Sequence, residues 1–249
     1  MGMVFGVILA GGVGNRMGNL ERPKQYITVG DKPIIIHTMQ KFLENEEFEH
    51  LIVPCPKVWI EHTNSLMKKY FPEKKEHITV LEGGDTRNET IMNAIAFIEQ
   101  TYGLDEETLI VTHDSVRPFL TERIIRENIE YGKKYGAADT VIPSTDTIVT
   151  SEDGAVISDI PDRKRMYQGQ TPQTFRAKRL RDLYYSLTEE EKEILTDASK
   201  IYVIKGEKVY LVNGEVSNIK ITYPYDLRVA EILVKNMASE NKELLKNKL

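Results

Sequence analysis

The chain has 249 residues, of which 41 % are hydrophobic, so about 100 apolar side chains are available, enough for the core of one large domain or two small ones. With 33 Lys+Arg against 38 Asp+Glu the formal charge is −5, opposite to the footprint of a general nucleic-acid binder, and any polyanionic ligand must be held by a local cluster of cations. The single cysteine, Cys55, excludes an internal disulfide and a cysteine-built zinc site. No run approaches the ~18 apolar residues of a membrane helix, and the start has neither a basic leader nor a small-residue cleavage site. The expectation is a soluble, cytoplasmic protein without nucleic-acid or membrane partners.

Residues 4–10 form a continuous apolar run ended by Gly11-Gly12, as in a strand buried on both faces of a parallel sheet. Similar short runs at 51–53, 78–81, 109–112 and 140–142 predict further strands. Between them, apolar residues spaced by three and four predict helices over 34–43, 58–70, 89–102 and 122–135. This alternation predicts a doubly wound, mostly parallel α/β sheet with right-handed crossovers, a Rossmann-like arrangement. After residue 143 the rhythm changes: apolar triplets at 147–149 and 155–157 flank Ser151-Glu152-Asp153-Gly154, whose Asp-Gly pair is a strong turn signal, so 144–165 reads as an inserted β-hairpin arm. Helices are expected over 177–187, 189–195 and 225–237, and strands over 209–212 and 219–222. No repeat or low-complexity linker divides the chain, and a single domain spanning 1–249 is the expectation.

Five segments carry chemistry. Leu9-Ala10-Gly11-Gly12-Val13-Gly14-Asn15-Arg16-Met17 leads to Pro23-Lys24-Gln25: glycines at a strand end let backbone N–H groups approach a phosphate chain, Arg16 can grip an oxyanion bidentately, and Lys24 adds a compact charge. A P-loop is excluded because no glycine here precedes Lys-Ser or Lys-Thr, and the dinucleotide fingerprint fails because Met17 stands where its third glycine belongs. Gly83-Gly84-Asp85-Thr86-Arg87-Asn88-Glu89-Thr90 lies at the carboxyl end of a strand, with Asp85 or Thr86 able to cap the next helix; it is either a nucleoside-binding loop or an ordinary capped turn. Thr112-His113-Asp114-Ser115-Val116-Arg117-Pro118 presents a carboxylate that either takes Mg²⁺ together with substrate phosphates or pairs with Arg117 in a structural turn. Arg163 sits beside Lys164 and Arg165, either as a solvated basic cluster or as an anion ligand. Lys220, between Ile219 and Ile221, faces opposite to them on the expected strand and, if inward, needs an anion.

Taken together and in this order, G-G-x-G-x-R-M with P-K-Q, H-D-x-x-R-P, Q-T-P-Q-x-F and N-I-K-I-T resemble the cytidylyltransferase family shared by 2-C-methyl-D-erythritol 4-phosphate and ribitol-5-phosphate cytidylyltransferases, and the resemblance covers nearly the whole chain. The methylerythritol pattern usually has H-D-A-A-R-P and G-G-x-x-R-x-x-S-V; this chain has His113-Asp114-Ser115-Val116-Arg117-Pro118 and Arg87-Asn88-Glu89-Thr90-Ile91. Its T-H-D-S-V-R-P-F, R-N-E-T-I and Y-Q-G-Q-T-P-Q-T-F look like the ribitol branch.

The resemblance implies transfer of CMP from CTP to D-ribitol 5-phosphate, giving CDP-ribitol and pyrophosphate. It assigns Arg16 and Lys24 to catalysis, Leu9, Ala10, Gly11 and Gly12 with Gly83, Gly84, Asp85, Thr86, Arg87, Asn88, Glu89 and Thr90 to CTP, and Asp114 to Mg²⁺. It gives Arg163, Lys220, Thr147 and Thr171 to the polyol phosphate, and implies a homodimer whose arms reach the neighbouring site. Methylerythritol phosphate is the alternative acceptor. A non-catalytic nucleotide-binding module is a further reading, but it leaves Arg163, Lys220 and Asp114 without work.

Overall fold

The computed structural model describes residues 2–12 and 22–246. Strand β1 (Val4–Leu9) lies inside a seven-stranded sheet of order β5-β4-β1-β6-β8-β7-β9. It pairs in parallel with β4 (His50–Cys55) and β6 (Leu109–Asp114), and β4 pairs in parallel with β5 (Ile78–Glu82). Neighbouring residues of β1 serve opposite faces: Phe5 and Val7 enter the core beneath helices α3 (Arg87–Tyr102), α5 (Ala177–Tyr185) and α7 (Ala198–Ile204), while Val4 and Ile8 enter the core beneath α1 (Ile34–Leu43), α2 (Ile60–Tyr70) and α4 (Glu122–Tyr135). Both faces are therefore covered, which is why the strand is apolar throughout. Gly6 is required by packing: a Cβ there would sit 2.5 Å from Leu51 Cδ1.

The doubly wound expectation holds, with one addition that the sequence pattern hid. Strand β8 (Tyr167–Arg176) runs antiparallel between β6 and β7 (Ala137–Pro143). Its Gln170, Thr171, Gln173 and Thr174 are buried yet polar, so no apolar run marks it. Tertiary partners reach it instead: Thr112 Oγ donates to the Gln173 backbone carbonyl at 3.2 Å and the Gln173 side-chain amide donates to Asp139 at 3.0 Å. The edge strand β9 (Tyr210–Asn213) pairs in parallel with β7, close to its expected place.

Helix limits follow local chemistry. Helix α3 starts two residues earlier than its apolar spacing indicated, because Thr86 caps it in a full capping box with Glu89. Helix α4 ends at Gly136, whose φ of 86° is the left-handed cap. Helix α2 begins after a 3₁₀ turn at Lys57–Trp59. The second half departs more from expectation: α5 ends at Tyr185, α6 is confined to Glu189–Glu193, and α7 was not anticipated. A short hairpin, β2 (Thr28–Val29) with β3 (Lys32–Pro33), turns at Gly30 and packs beneath α8 (Pro224–Lys246).

Two expected strand regions are corrected. The 147–149 and 155–157 strands of the arm do not form; one bridge, Thr150 with Asp159, closes the excursion. Its tip is nevertheless the expected turn: the Asp153 carboxylate accepts from the N–H groups of Ala155 and Val156, and Gly154 has φ 73°. Val149, Val156, Ile157 and Ile160 are left exposed, so the arm lacks the second layer that would stabilise strands. Residues 219–222 also form no strand. Only the Ile221 N–H reaches across, to the Val116 carbonyl at 2.9 Å, and Ile221 itself plugs the core formed with Val29, Ile34 and Phe119.

Candidate active site

The carboxyl ends of the four neighbouring parallel strands are stitched together by backbone hydrogen bonds. Ala10 N–H donates to the Pro54 carbonyl at 3.0 Å, Gly83 N–H to the Cys55 carbonyl at 2.9 Å, and Ser115 N–H to the Leu9 carbonyl at 3.1 Å. This edge is where open α/β sheets bind ligands. It opens into a cavity of about 420 Å³ lined by Leu9, Gly11, Gly12, Lys24, Gln25, Gly84, Asp85, Thr86, Arg87, Thr90, Asp114, Ser115, Val116 and Lys220. Among the described residues three cations face the cavity against two carboxylates, which makes an anion site in a chain of net charge −5.

Lys24 stands on a 3₁₀ turn behind Pro23 and is only 7 % exposed. The next residue, Gln25, ties that turn to the first strand by donating its side-chain amide to the Ala10 carbonyl at 2.6 Å. Tyr26, stacked on Trp59 and hydrogen-bonded to Thr63 at 2.8 Å, anchors the other side. Arg16 lies outside the described residues.

In the second loop, Gly84, Asp85, Thr86, Arg87 and Thr90 reach the cavity. Glu89 is engaged as the capping partner of Thr86, with Thr86 N–H donating to its carboxylate at 2.9 Å and Glu89 N–H donating to Thr86 Oγ at 3.1 Å. Thr90 Oγ accepts from Gly84 N–H at 3.0 Å and donates to the Thr86 carbonyl at 2.8 Å. Ala10, Gly83, Asn88 and Glu89 do not line the cavity; Ala10 and Gly83 bond to the neighbouring strand end and Glu89 to Thr86. Gly84 is the position where close approach demands glycine: a Cβ would lie 2.4 Å from Glu89 Cβ and 2.9 Å from its carbonyl carbon.

Asp114, 8 % exposed, is the centre of the charge arrangement. Lys220 Nζ is 2.7 Å from one carboxylate oxygen, and Arg117 Nε is 3.7 Å from that same oxygen; Arg87 is 3.7 Å from the other. Burial alone would raise its pKa, but Arg87, Lys220 and Arg117 more than reverse that and hold the carboxyl well below the usual carboxylate range. Of the two readings of Asp114 left open by the sequence, the pairing with Arg117 is present, and the carboxylate also lines the cavity. Lys220 is the inward lysine that finds an anion, although on a loop and not on a strand. Arg87 Nη1 is buried with no hydrogen-bond partner among the described residues, a donor aimed by its helix and not yet spent. His113 is fully buried, and burial pushes its pKa down to about 4, leaving the ring neutral.

The remaining sequence-derived candidates lie elsewhere. Thr147 and Arg163 are exposed on the arm, where Arg163 donates to the Thr145 carbonyl at 3.1 Å; neither lines this cavity. Thr171 is 4 % exposed and its hydroxyl is taken up by His113 and the Asp114 amide. Conversely, Gln25, Ser115 and Val116 line the cavity without having been singled out; the signal available was their place inside P-K-Q and H-D-S-V-R-P.

A family model described as IspD, 2-C-methyl-D-erythritol 4-phosphate cytidylyltransferase, matches residues 4–236. The chain belongs to this cytidylyltransferase family. The crystal structure of 4-diphosphocytidyl-2C-methyl-D-erythritol synthase from Anaerococcus prevotii is 28 % identical, with 94 % of this chain and 96 % of that one covered and a TM-score of 0.77. A second 4-diphosphocytidyl-2C-methyl-D-erythritol synthase structure is 26 % identical, covers 94 % of this chain and 100 % of that one, and has a TM-score of 0.75. The 2-C-methyl-D-erythritol 4-phosphate cytidylyltransferase of Thermus thermophilus is 25 % identical over 92 % of this chain and 98 % of that one, with a TM-score of 0.69. The protein is a nucleotidyltransferase, and this family membership accounts for a glycine-rich, cation-lined cavity at the switch of a doubly wound sheet. Among the described residues, no helix is long and apolar enough to cross a membrane.

The donor set bears on the expected Mg²⁺. Among the described residues no group of three or more His, Cys, Asp or Glu side chains could hold a metal ion, so these residues build no metal cage. Asp114 offers one carboxylate oxygen whose nearest cation, Arg87, stands at 3.7 Å, beyond hydrogen-bond distance. That is compatible with Mg²⁺, which keeps several waters and takes one or two carboxylates together with substrate phosphates.

Proposed function

We propose that this cytidylyltransferase transfers CMP from CTP to D-ribitol 5-phosphate, giving CDP-ribitol and pyrophosphate. The observation that carries the acceptor is the cavity wall at Ser115 and Val116, where the methylerythritol pattern has two alanines. The Ser115 hydroxyl makes no hydrogen bond among the described residues, while its backbone is fixed to Leu9 and Thr38. A fixed, unspent hydroxyl suits an unbranched polyol. It can pair with an acceptor hydroxyl at a point where the two alanines of the methylerythritol pattern offer none, the kind of contact by which hydrogen-bonding sites select.

The attacking group is a phosphate monoester whose second pKa is about 6, so at neutral pH it is already largely dianionic. No general base is needed, which fits His113 being buried and neutral. One acceptor-phosphate oxygen bonds to the α-phosphorus of CTP as the bond to the bridging β-phosphate oxygen breaks, and pyrophosphate leaves with that electron pair. The obstacle is the meeting of two anions, so positioned cations supply the catalysis. Lys24 and Arg16 stabilise charge growing on the transferred group, Gly11, Gly12 and Gly84 give backbone access to the nucleotide, and Lys220 with Arg87 draws the acceptor phosphate toward Asp114. Mg²⁺ would be held by Asp114 with the triphosphate oxygens, and when bound it neutralises the leaving pyrophosphate. Arg163 and Thr147, remote from this cavity in their own chain, serve the second site of a homodimer.

Methylerythritol phosphate remains the second acceptor, favoured by the names of the similar structures. The deciding experiment incubates the protein with CTP, Mg²⁺ and each polyol phosphate in turn and measures pyrophosphate release. The expected result is a kcat/KM at least tenfold higher with ribitol 5-phosphate. Preference for methylerythritol phosphate would overturn the acceptor, and release with neither would overturn the transferase reading.

A further inference from the structure

Behind Asp114, three chain segments far apart in sequence are closed into one circuit of hydrogen bonds, all of it buried. His113 is 0 % exposed, Asn218 0 % and Thr171 4 %. His113 Nε2 lies 3.0 Å from the Arg117 carbonyl. A carbonyl can only accept, so Nε2 carries the proton and Nδ1 is left as an acceptor. The Thr171 hydroxyl, 2.9 Å from Nδ1, must then donate to it, and its oxygen is free to accept the Asp114 N–H at 3.2 Å. The circuit continues through the other two segments: Arg117 Nη1 donates to the Asn218 carbonyl at 2.7 Å, and the Asn218 side-chain amide donates to the Thr171 carbonyl at 2.9 Å. Two residues beyond Asn218, Lys220 closes on the Asp114 carboxylate at 2.7 Å.

We propose that His113, Thr171 and Asn218 are positioning residues for the transfer reaction: they hold the Asp114 backbone and the Lys220 segment in one fixed relation, with His113 as the Nε2–H tautomer. This rests on the transferase reading, and it assigns Thr171 to the support of the site in place of the sugar-phosphate contact that the family resemblance implies. The polarity of the two histidine bonds follows from the one fixed acceptor, the Arg117 carbonyl. Removing the Thr171 hydroxyl orphans two buried groups at once, the His113 Nδ1 acceptor and the Asp114 N–H donor. The cost falls on geometry, because a group displaced by about 1 Å from its working position can lose about a hundredfold in rate.

The test compares Thr171→Val, Thr171→Ser and His113→Gln with the wild type, using whichever polyol phosphate the wild type turns over fastest. Thr171→Val is expected to lower kcat by about tenfold to a hundredfold while KM for the sugar phosphate stays within about threefold, and Thr171→Ser to recover most of the rate. The Thr171→Val/His113→Gln double variant should lose little more than either single one, because both cut the same circuit. If Thr171→Val raises KM and spares kcat, Thr171 touches substrate and the proposal fails. Nitrogen-15 spectra of histidine-labelled wild type provide a readout that needs neither turnover nor a folded variant: a neutral Nε2–H ring at His113 is expected, and an Nδ1–H ring would overturn the circuit even if no polyol phosphate is turned over.

Discussion

Asp139, mid-strand in β7, gives a quantitative test of how the sheet tolerates polarity behind the active site. Its carboxylate is 8 % exposed. One oxygen accepts from Ser199 at 2.7 Å and from Gln173 at 3.0 Å, while the other is buried with no partner among the described residues. Burial pushes its pKa up from 3.8 to about 6, against the pull of the Ser199 and Gln173 hydrogen bonds. An acid whose folded pKa is raised binds its proton more tightly in the native state. The penalty for ionising it is therefore absent below pH 3.8, grows as pH rises, and is complete above about pH 6. At about 1.36 kcal/mol per pKa unit, the full penalty is about 3 kcal/mol. Asp139→Asn keeps an acceptor for Ser199 and removes the charge. Urea unfolding should show the variant more stable by about 3 kcal/mol at pH 8 and by only about 1 kcal/mol at pH 4.5. A gain that is the same at both pH values, or a loss at pH 8, would refute the reasoning.

Four further outcomes are expected. Lys24→Ala should leave far-ultraviolet circular dichroism unchanged and lower kcat at least about a hundredfold in a pyrophosphate-release assay, the size of effect seen when one transition-state donor is lost. Gly84→Ala should cost CTP binding about tenfold or more by calorimetry, because its Cβ would push on the backbone of Glu89 and Thr90 and displace the capped start of α3. Ser115→Ala should lower kcat/KM for ribitol 5-phosphate by about tenfold while leaving KM for CTP unchanged. Mixing Arg16→Ala with Arg163→Ala protomers should restore part of the activity that each lacks alone, if Arg163 serves the partner's site; absence of rescue in verified heterodimers would count against that arrangement.

The local code written in the chain settled the first half of the molecule. The apolar run of β1, the spacing of α1 and α4, and the Thr86–Glu89 capping box are near-neighbour patterns, and such patterns report burial and helix ends directly. The paired glycines and the placement of Lys24 and Asp114 after strand ends likewise put the ligand edge of the sheet on the page, because βα turns of parallel strands all fall on one side. Strand β8 was illegible for the opposite reason: its buried Gln and Thr residues are acceptable only because Thr112, Asn128, Asp139 and Asn218 come from elsewhere to satisfy them, and a single chain segment carries no record of partners 34 to 61 residues away. The alternation around Lys220 read as a strand, yet its segment forms no ladder and only the Ile221 N–H bonds across, to the Val116 carbonyl. The excess of negative charge over the whole chain argued against a nucleic-acid polymer but said nothing of where the cations stand. Only the tertiary structure gathered Arg87 from the start of a helix and Arg117 and Lys220 from two loops around one carboxylate, turning an acidic protein into one with a cationic cavity, because local field is set by distance and burial and not by net charge.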